Sequence, residues 1–229
     1  MIDLAFLRET FATLVSGIPL TLQLAALSSL LGALFALLLV WAQVALPRTL
    51  GRAARVYIFA FRGTPLLVQL FLIYYGLSQF RPTLSALGLW GMLRDPYWCA
   101  VLALMLNTAA YCAEIFRGGL QAVPAGQVEA ARAAGFSGVL LFRRIVFPIA
   151  LRQALPGYGN ELLLMVKATS LASTVTLMEI TGLAARAISQ SYRAIEVFLV
   201  AGALYLVLNV VLVQALGLLE RRLMRHLVR

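Results

Sequence analysis

The sequence predicts an all-α integral membrane protein with about five transmembrane helices. Of its 229 residues, 62% are hydrophobic and only 12% are charged, and the mean hydropathy is +0.91. A soluble domain has roughly 45–50% apolar and about 25% charged residues, so this chain lies well outside that class. One compact domain is the expectation at this length, and we assign residues 1–229 to a single transmembrane domain.

Five apolar stretches are long enough to cross a bilayer, which takes about 20 mostly apolar residues. No charge occurs between Glu9 and Arg48, and this stretch predicts the first span. The second stretch is interrupted near its start by Arg62, and the fourth is the most polar. The predicted spans are residues 13–44, 56–80, 97–116, 155–178 and 197–219.

Arginines in the short loops predict the orientation of the chain, because cytoplasmic loops are enriched in basic residues. They are concentrated in the first loop, the third loop and the C-terminal tail, which places the N-terminus outside and the C-terminus in the cytoplasm. The arginines assigned to the cytoplasm are Arg48, Arg52, Arg55, Arg117, Arg132, Arg143, Arg144, Arg152, Arg221, Arg222, Arg225 and Arg229.

The composition also argues against several other functions. The net charge of +10 reflects these topogenic arginines rather than a nucleic-acid interface. Cys99 and Cys112 have no metal-ligand spacing, and His226 is the only histidine. A membrane-embedded enzyme would need a nucleophile with its base, clustered carboxylates or metal ligands inside the spans, and this chain has none of these patterns.

The third loop, residues 118–154, is the longest predicted cytoplasmic segment and is not linker-like. Pro124 suits the first turn of a helix over 125–134, and Gly135 suits the left-handed position that ends it. Ser137 is a candidate cap for a second helix, which we expect to run through Arg143 and Arg144 toward Pro148. The loop therefore predicts two short helices joined at a glycine.

Within this loop, the run Glu129-Ala130-Ala131-Arg132-Ala133-Ala134-Gly135 resembles the cytoplasmic EAA loop of permease subunits of binding-protein-dependent ABC importers. The resemblance covers about residues 17–222 and is closest to permeases for histidine, lysine, arginine, ornithine and opines. Three further segments look like parts of those permeases, namely Arg62-Gly63-Thr64-Pro65-Leu66-Leu67-Val68-Gln69, Glu114-Ile115-Phe116-Arg117-Gly118-Gly119 and, in the fourth span, Asn160-Glu161 with Lys167-Ala168-Thr169-Ser170-Leu171.

The resemblance implies a multi-pass subunit of the bacterial inner membrane, with partners around it. These are a second permease (the same chain or a different one), a dimer of ATPase subunits and a periplasmic solute-binding protein. Glu129, Ala130, Ala131 and Gly135 would form the coupling helix that docks into an ATPase groove. The chain has no P-loop, so ATP and Mg²⁺ would be bound by the ATPase, and no catalytic residue, metal or cofactor is expected here.

The candidate substrate path lies in the fourth span, which contains Glu161 and Lys167. Charges within a span are costly, roughly 2.5–3.5 kcal/mol each on insertion scales, and mark functional sites. Six residues of helix turn through about 600°, so these two side chains point about 120° apart and cannot readily neutralise each other. The alternative is that each charge pairs with another helix to fix packing.

Our hypothesis for this path assigns each side chain a part of an amino-acid solute. Glu161 receives the cationic end or the α-amino group, and Lys167, with Thr169 and Ser170, meets the α-carboxylate or gates the path. Asn160 shares a helical face with Lys167. The rival function is an ATP-independent secondary carrier or channel, although such proteins often show inverted repeats and we find none.

Overall fold

The computed structural model describes residues 3–224, and this part of the chain is helical and contains no strand. The all-α prediction is therefore confirmed. Arg225 and Arg229, which contributed to the predicted orientation, lie outside the described residues, and the orientation itself stays a prediction.

The helices follow one another with short connections. They are α1 (Leu4–Val15), α2 (Ile18–Ala45), α3 (Leu50–Gly63), α4 (Leu66–Gly76), α5 (Arg81–Ala86), α6 (Trp90–Leu93), α7 (Pro96–Gln121), α8 (Ala125–Ala133), α9 (Gly138–Leu141), α10 (Phe147–Ala168), α11 (Ile180–Ser191) and α12 (Ala194–Met224). Short non-α helical turns continue three of them, namely 3₁₀ turns at Leu77–Phe80 and Thr169–Val175 and a π turn at Phe142–Val146.

The described chain contains three helical segments that are long and apolar enough to span a membrane, namely Leu4–Ala45 (α1 and α2 together), Pro96–Gln121 and Ala194–Leu218. Two bent helix pairs also pass this test, and the count reaches the predicted five if each pair forms one span. The predicted first, third and fifth spans thus correspond to α2, α7 and α12.

The second predicted span is not continuous, and that expectation was wrong. α3 and α4 meet at an angle of 105° around Thr64 and Pro65. Pro65 has no backbone N–H and disfavours helical geometry at the residue before it, and Thr64 is accordingly extended, at φ −120° and ψ 146°. Because the sequence is apolar on both sides of Thr64 and Pro65, its hydropathy predicts one continuous span and does not indicate the break.

The fourth span begins earlier than predicted. Helical structure runs without interruption from Gly138 to Val175, so the expected end of a loop helix near Pro148 was wrong. The π turn at Phe142–Val146 lies directly before this proline, where the regular i→i−4 ladder loses a donor. The segment ends at Thr176 in the left-handed conformation, and α11 leaves it at an angle of 47°.

α7 is the centre of the bundle and packs against α2, α3, α4 and α10. Small side chains permit close approach of the helices, which is typical of packing in membranes. Ala36 of α2 and Ala109 and Ala113 of α7 are fully buried. At Gly119 a Cβ atom would lie 2.6 Å from the carbonyl oxygen of Ala150, so this contact between α7 and α10 requires glycine.

α1 packs against α11 and α12. Asp3 caps α1 by accepting from the backbone N–H groups of Ala5 and Phe6, at 3.1 Å and 3.2 Å. Its other oxygen accepts from Arg193, at 3.0 Å. The hydrogen bond from Phe6, followed by that from Arg193, lowers the pKa of the Asp3 carboxyl below its usual value.

Candidate functional site

An open groove of about 460 Å³ lies between α4, α7 and the C-terminal half of α10. Its volume is within the range of about 300–1,000 Å³ that is common for small-molecule sites. We call it the polar groove. Its lining residues are Leu66, Asn107, Tyr111, Glu161, Leu164, Met165, Lys167, Ala168, Ser170 and Leu171.

Glu161 is buried, with 8% of its surface exposed, and its carboxylate is held in place from α7. The hydroxyl of Thr108, which is fully buried, donates to Glu161 Oε1 at 2.7 Å. Among the side chains that the structure describes, which exclude Arg222, no basic nitrogen lies within 4.0 Å of this carboxylate. The groove is thus lined by a buried carboxyl group whose position is set by a hydrogen bond from the neighbouring helix.

Lys167 lies at the same groove, exposed, and no carboxylate of the described chain lies within 4.0 Å of its amine. Ser170 also lines the groove, and its hydroxyl donates to the Lys167 carbonyl at 2.7 Å. One groove therefore offers both signs of charge, and Glu161 and Lys167 do not pair with each other. An amino-acid zwitterion requires this combination.

Two of the predicted path residues lie outside the lining of the groove. Thr169 is fully buried, and its hydroxyl donates to the carbonyl of Val166 at 2.8 Å. Asn160 is exposed but is not among the lining residues. Of the five predicted residues, the structure brings together Glu161, Lys167 and Ser170.

The broken helix pair α3–α4 is tied to the groove through Gln69. Its amide nitrogen donates to the carbonyls of Phe61 and Thr64, at 2.9 Å and 3.1 Å, which compensates backbone acceptors freed by the break. Asn107 in turn donates to Gln69 Oε1 at 2.9 Å. Because Asn107 lines the groove, the conformation of the break and the shape of the site are physically connected.

Sequence reasoning missed the contribution of α7, which supplies Asn107, Thr108 and Tyr111. Adjacent asparagine and threonine in the middle of an otherwise apolar span were the available signal, since polar groups inside a membrane need partners. Glu179 was missed as well, because the fourth span was ended at residue 178. It is fully buried and accepts from the hydroxyl of Tyr205 at 2.6 Å and from the N–H of Gly182 at 2.9 Å.

Near the end of α7, a small ion cluster involves Glu114. Arg117 donates to both carboxylate oxygens, with a closest distance of 2.5 Å, and forms a local ion pair three residues along the same helix. Arg62 lies 3.9 Å from the same carboxylate and stacks over the ring of Tyr111, 5.4 Å from its centroid. Since Tyr111 lines the polar groove, this cluster borders the site.

The predicted coupling segment forms a short exposed helix. α8 begins after Pro124, and Gly135 follows it with a φ of +88°, so the predicted left-handed glycine is confirmed. Glu129 and Ala130 are exposed, whereas Ala131 is 8% exposed and packs inward. The helix therefore exposes Glu129 and Ala130 on the face that is available to a partner.

Ser137 occupies the cap position of α9, as predicted, but its side chain makes no capping hydrogen bond. The predicted helix over 125–134 agrees with α8 to within one residue.

The fold and the groove define a class: a multi-pass helical membrane subunit with an exposed helix between spans and a charged groove within them. The sequence matches the family described as "Binding-protein-dependent transport system inner membrane component" over residues 28–225. The chain belongs to this family and is a permease subunit of an ABC importer for amino acids or opines.

Relatives of known name and structure agree with this assignment. The octopine transport system permease protein OccM of Rhizobium radiobacter is 61% identical over 218 residues, with coverage of 95% of this chain and 89% of the relative. The nopaline transport system permease protein NocM of Agrobacterium fabrum is 51% identical over 225 residues, with coverage of 98% and 93%. A crystal structure of an amino acid ABC transporter with histidines superposes with a TM-score of 0.86 at 35% identity, with coverage of 97% and 99%.

Proposed function

We propose that this permease conducts a cationic amino acid or an arginine-derived opine through the polar groove. Glu161 receives the cationic end or the α-amino group, and Lys167 with Ser170 meets a carboxylate. The observation that carries the proposal is that one groove holds a buried carboxylate and an amine, neither of which has a partner of opposite charge within 4.0 Å in the described chain.

The names of the relatives support the choice of solute. The two relatives named above are octopine and nopaline transport system permease proteins, and a further relative at 38% identity is an arginine permease. Octopine and nopaline are arginine derivatives, so all three solutes combine a guanidinium with carboxylate. A planar guanidinium binds a carboxylate through two parallel hydrogen bonds, which Glu161 has the oxygens to accept.

The two remaining path residues have secondary parts in the proposal. Asn160 is exposed beside Glu161 and contacts the solute outside the groove. Thr169 acts through the helix, because its hydroxyl bonds the Val166 carbonyl where α10 passes into the 3₁₀ stretch.

The energy for transport comes, in this proposal, from an ATPase dimer that binds ATP and Mg²⁺ on the cytoplasmic side. Glu129, Ala130 and Gly135 form the docking surface, supported by their exposure on and after α8, whereas Ala131, predicted as part of this surface, lies on the buried side of the helix. The chain itself is not an enzyme and holds no cofactor. A second permease, identical or paralogous, completes the path, a periplasmic binding protein delivers the solute, and the N-terminus lies outside.

Copurification tests the coupling part of the proposal. The subunit is isolated from its native membrane in mild detergent, beside a Gly135→Arg variant, and the proteins that copurify are identified. Recovery of a P-loop ATPase with the parent and its loss with the variant is the expected result. Absence of an ATPase from both, under conditions that keep other importers intact, would instead favour an ATP-independent carrier or channel.

Measurements of amino-acid uptake test the proposed role of Glu161 in binding the substrate. Glu161→Ala is expected to weaken the transport affinity for cationic amino acids, because the carboxylate is the one acidic group that lines the groove. An unchanged affinity would show that Glu161 serves packing.

A further inference from the structure

A second groove, of about 470 Å³, lies on the other side of α7 and has an entirely different character. It opens between the C-terminal part of α2, the end of α7 and the beginning of α10, and every residue that lines it is apolar. Trp41 on α2 and Phe142 and Phe147 at the π turn form its mouth, with 57%, 49% and 46% of their surfaces exposed. We call it the apolar groove.

The π turn shapes this groove. A π turn places residues five apart on one face, and the rings of Phe142 and Phe147 accordingly lie together, with centroids 6.0 Å apart. Leu151 continues the same face one turn further along α10. A regular α-helix would have rotated one of these rings away from the groove.

Two arginines lie in the π turn, between the lining residues Phe142 and Phe147 of the apolar groove. Arg143 directly follows Phe142 and precedes Phe147 by four residues, and Arg144 is next to it. Both are exposed, and no carboxylate in residues 3–224 lies within 4.0 Å of either guanidinium. The groove therefore joins an apolar trough to a pair of uncompensated positive charges.

We propose that the apolar groove is a binding site for an anionic phospholipid. One acyl chain lies along Trp41, Phe147 and Leu151, and the headgroup phosphate accepts hydrogen bonds from Arg143 and Arg144. Charge complementarity selects this occupant: the phosphate of a zwitterionic lipid is offset by the cation of its own headgroup, whereas an anionic lipid brings a net negative charge to the two arginines. A polar solute would find no hydrogen-bond partner among the lining residues. The site is independent of the polar groove and of its proposed solute.

Trp41 provides a reporter inside the site. The assembled importer is reconstituted in phosphatidylcholine with increasing fractions of phosphatidylglycerol brominated on its acyl chains, which quenches tryptophan on contact. The same titration is made with brominated phosphatidylcholine. Measurements on a Trp41→Phe variant are subtracted, so that the difference belongs to Trp41 alone.

We expect brominated phosphatidylglycerol to quench Trp41 at a mole fraction about fivefold to twenty-fivefold lower than brominated phosphatidylcholine. A basic residue near an anionic lipid surface contributes about 1 kcal/mol, which is about fivefold in affinity for each arginine. The double variant Arg143→Gln/Arg144→Gln should bring the two titrations together, and high salt should weaken the preference. Inorganic phosphate alone should not change the Trp41 emission.

Arg52→Gln is the matched control. Arg52 is exposed, and its helix lies against the other side of α2: at the neighbouring Gly51, a Cβ atom would lie 2.9 Å from the carbonyl oxygen of Ala42. The Arg52→Gln variant should prefer brominated phosphatidylglycerol over brominated phosphatidylcholine to the same extent as the parent. Equal quenching of Trp41 by both lipids would overturn the proposal. So would a preference for phosphatidylglycerol that survives in the double variant. Quenching by neither lipid would also overturn it, because it would mean that protein covers the groove.

Discussion

The hydrogen bond from Thr108 to Glu161 offers a direct way to perturb the polar groove without touching the solute. In Thr108→Val, a methyl group replaces the hydroxyl that donates to Glu161 Oε1 at 2.7 Å. The other methyl is retained, and with it the packing of this fully buried residue against Gly32 of α2. The substitution therefore removes one donor and very little volume.

The substitution should lower both the stability of the protein and its affinity for the solute. A buried acceptor that loses its donor costs about 1–3 kcal/mol, so the folded variant should be less stable by this amount. The solute must then order the Glu161 side chain itself, which costs about 0.5–1.5 kcal/mol for an immobilised side chain. At 1.4 kcal/mol for each tenfold, the affinity for arginine should fall about twofold to twelvefold.

The assay is equilibrium binding of radiolabelled arginine to the assembled importer in detergent, with thermal unfolding measured on the same preparation. Thr108→Ser is the matched variant, because it keeps the hydroxyl and loses the methyl. We expect the serine variant to bind like the parent and the valine variant to bind more weakly. If valine and parent bind equally, or if serine and valine are equally impaired, Thr108 does not position the carboxylate.

Three further predictions concern other contacts. Lys167→Gln should lower the affinity for arginine by up to about fivefold, since an exposed charge contributes about 0.2–1 kcal/mol, and should leave binding of arginine methyl ester unchanged. Gln69→Leu should lower thermal stability by at least about 1 kcal/mol, because it leaves freed carbonyls at the break between α3 and α4 unsatisfied. Asp3→Asn should lower the thermal midpoint at pH 7, and the difference from the parent should vanish on acidification. The pKa of Asp3 is lowered in the folded state by the Phe6 N–H and then by Arg193, so its contribution is present at neutral pH and lost as pH falls through that lowered value.

Matched substitutions control these measurements. Gln23 is exposed on α2, so Gln23→Leu should leave the thermal midpoint where it is, and a similar loss in both glutamine variants would contradict the role given to Gln69. Glu9→Gln removes an exposed carboxylate of α1 and should show no comparable acid dependence. Weaker binding of the ester in Lys167→Gln would show that the amine does not act on the carboxylate.

The parts of the fold that follow from local chemistry were predictable. Pro124 before α8 and Gly135 after it specify where that helix begins and ends, and the structure has both. The long apolar stretches likewise predicted α2, α7 and α12. In each case the information lies within a few residues or within one continuous stretch.

The break between α3 and α4 shows where composition fails. Hydropathy averages over Thr64 and Pro65, whereas the backbone must satisfy each freed carbonyl individually inside the bilayer. Gln69 does so locally, but its own partner is Asn107, which is 38 residues away. No periodicity within either segment indicates that these two amides meet.

For the polar groove, the charged residues were predictable from the sequence, but the tertiary contact that fixes the carboxylate was not. Glu161 and Lys167 are visible as charges in an apolar span, and helical spacing correctly indicates that they do not pair. That Thr108 fixes the carboxylate depends on the packing of α7 against α10, a tertiary contact. The π turn, which brings Phe142 and Phe147 together, was likewise concealed within a stretch predicted as regular helix.

The central claim is that Glu161 receives the positive end of the solute, and a comparison of arginine with citrulline tests it most directly. Citrulline has nearly the same shape but a neutral urea group in place of the guanidinium. Binding of both is measured on the assembled importer, without the binding protein, for the parent and for Glu161→Gln. We expect the parent to prefer arginine and the variant to bind both about equally. Unchanged arginine affinity and unchanged discrimination in Glu161→Gln would contradict the account.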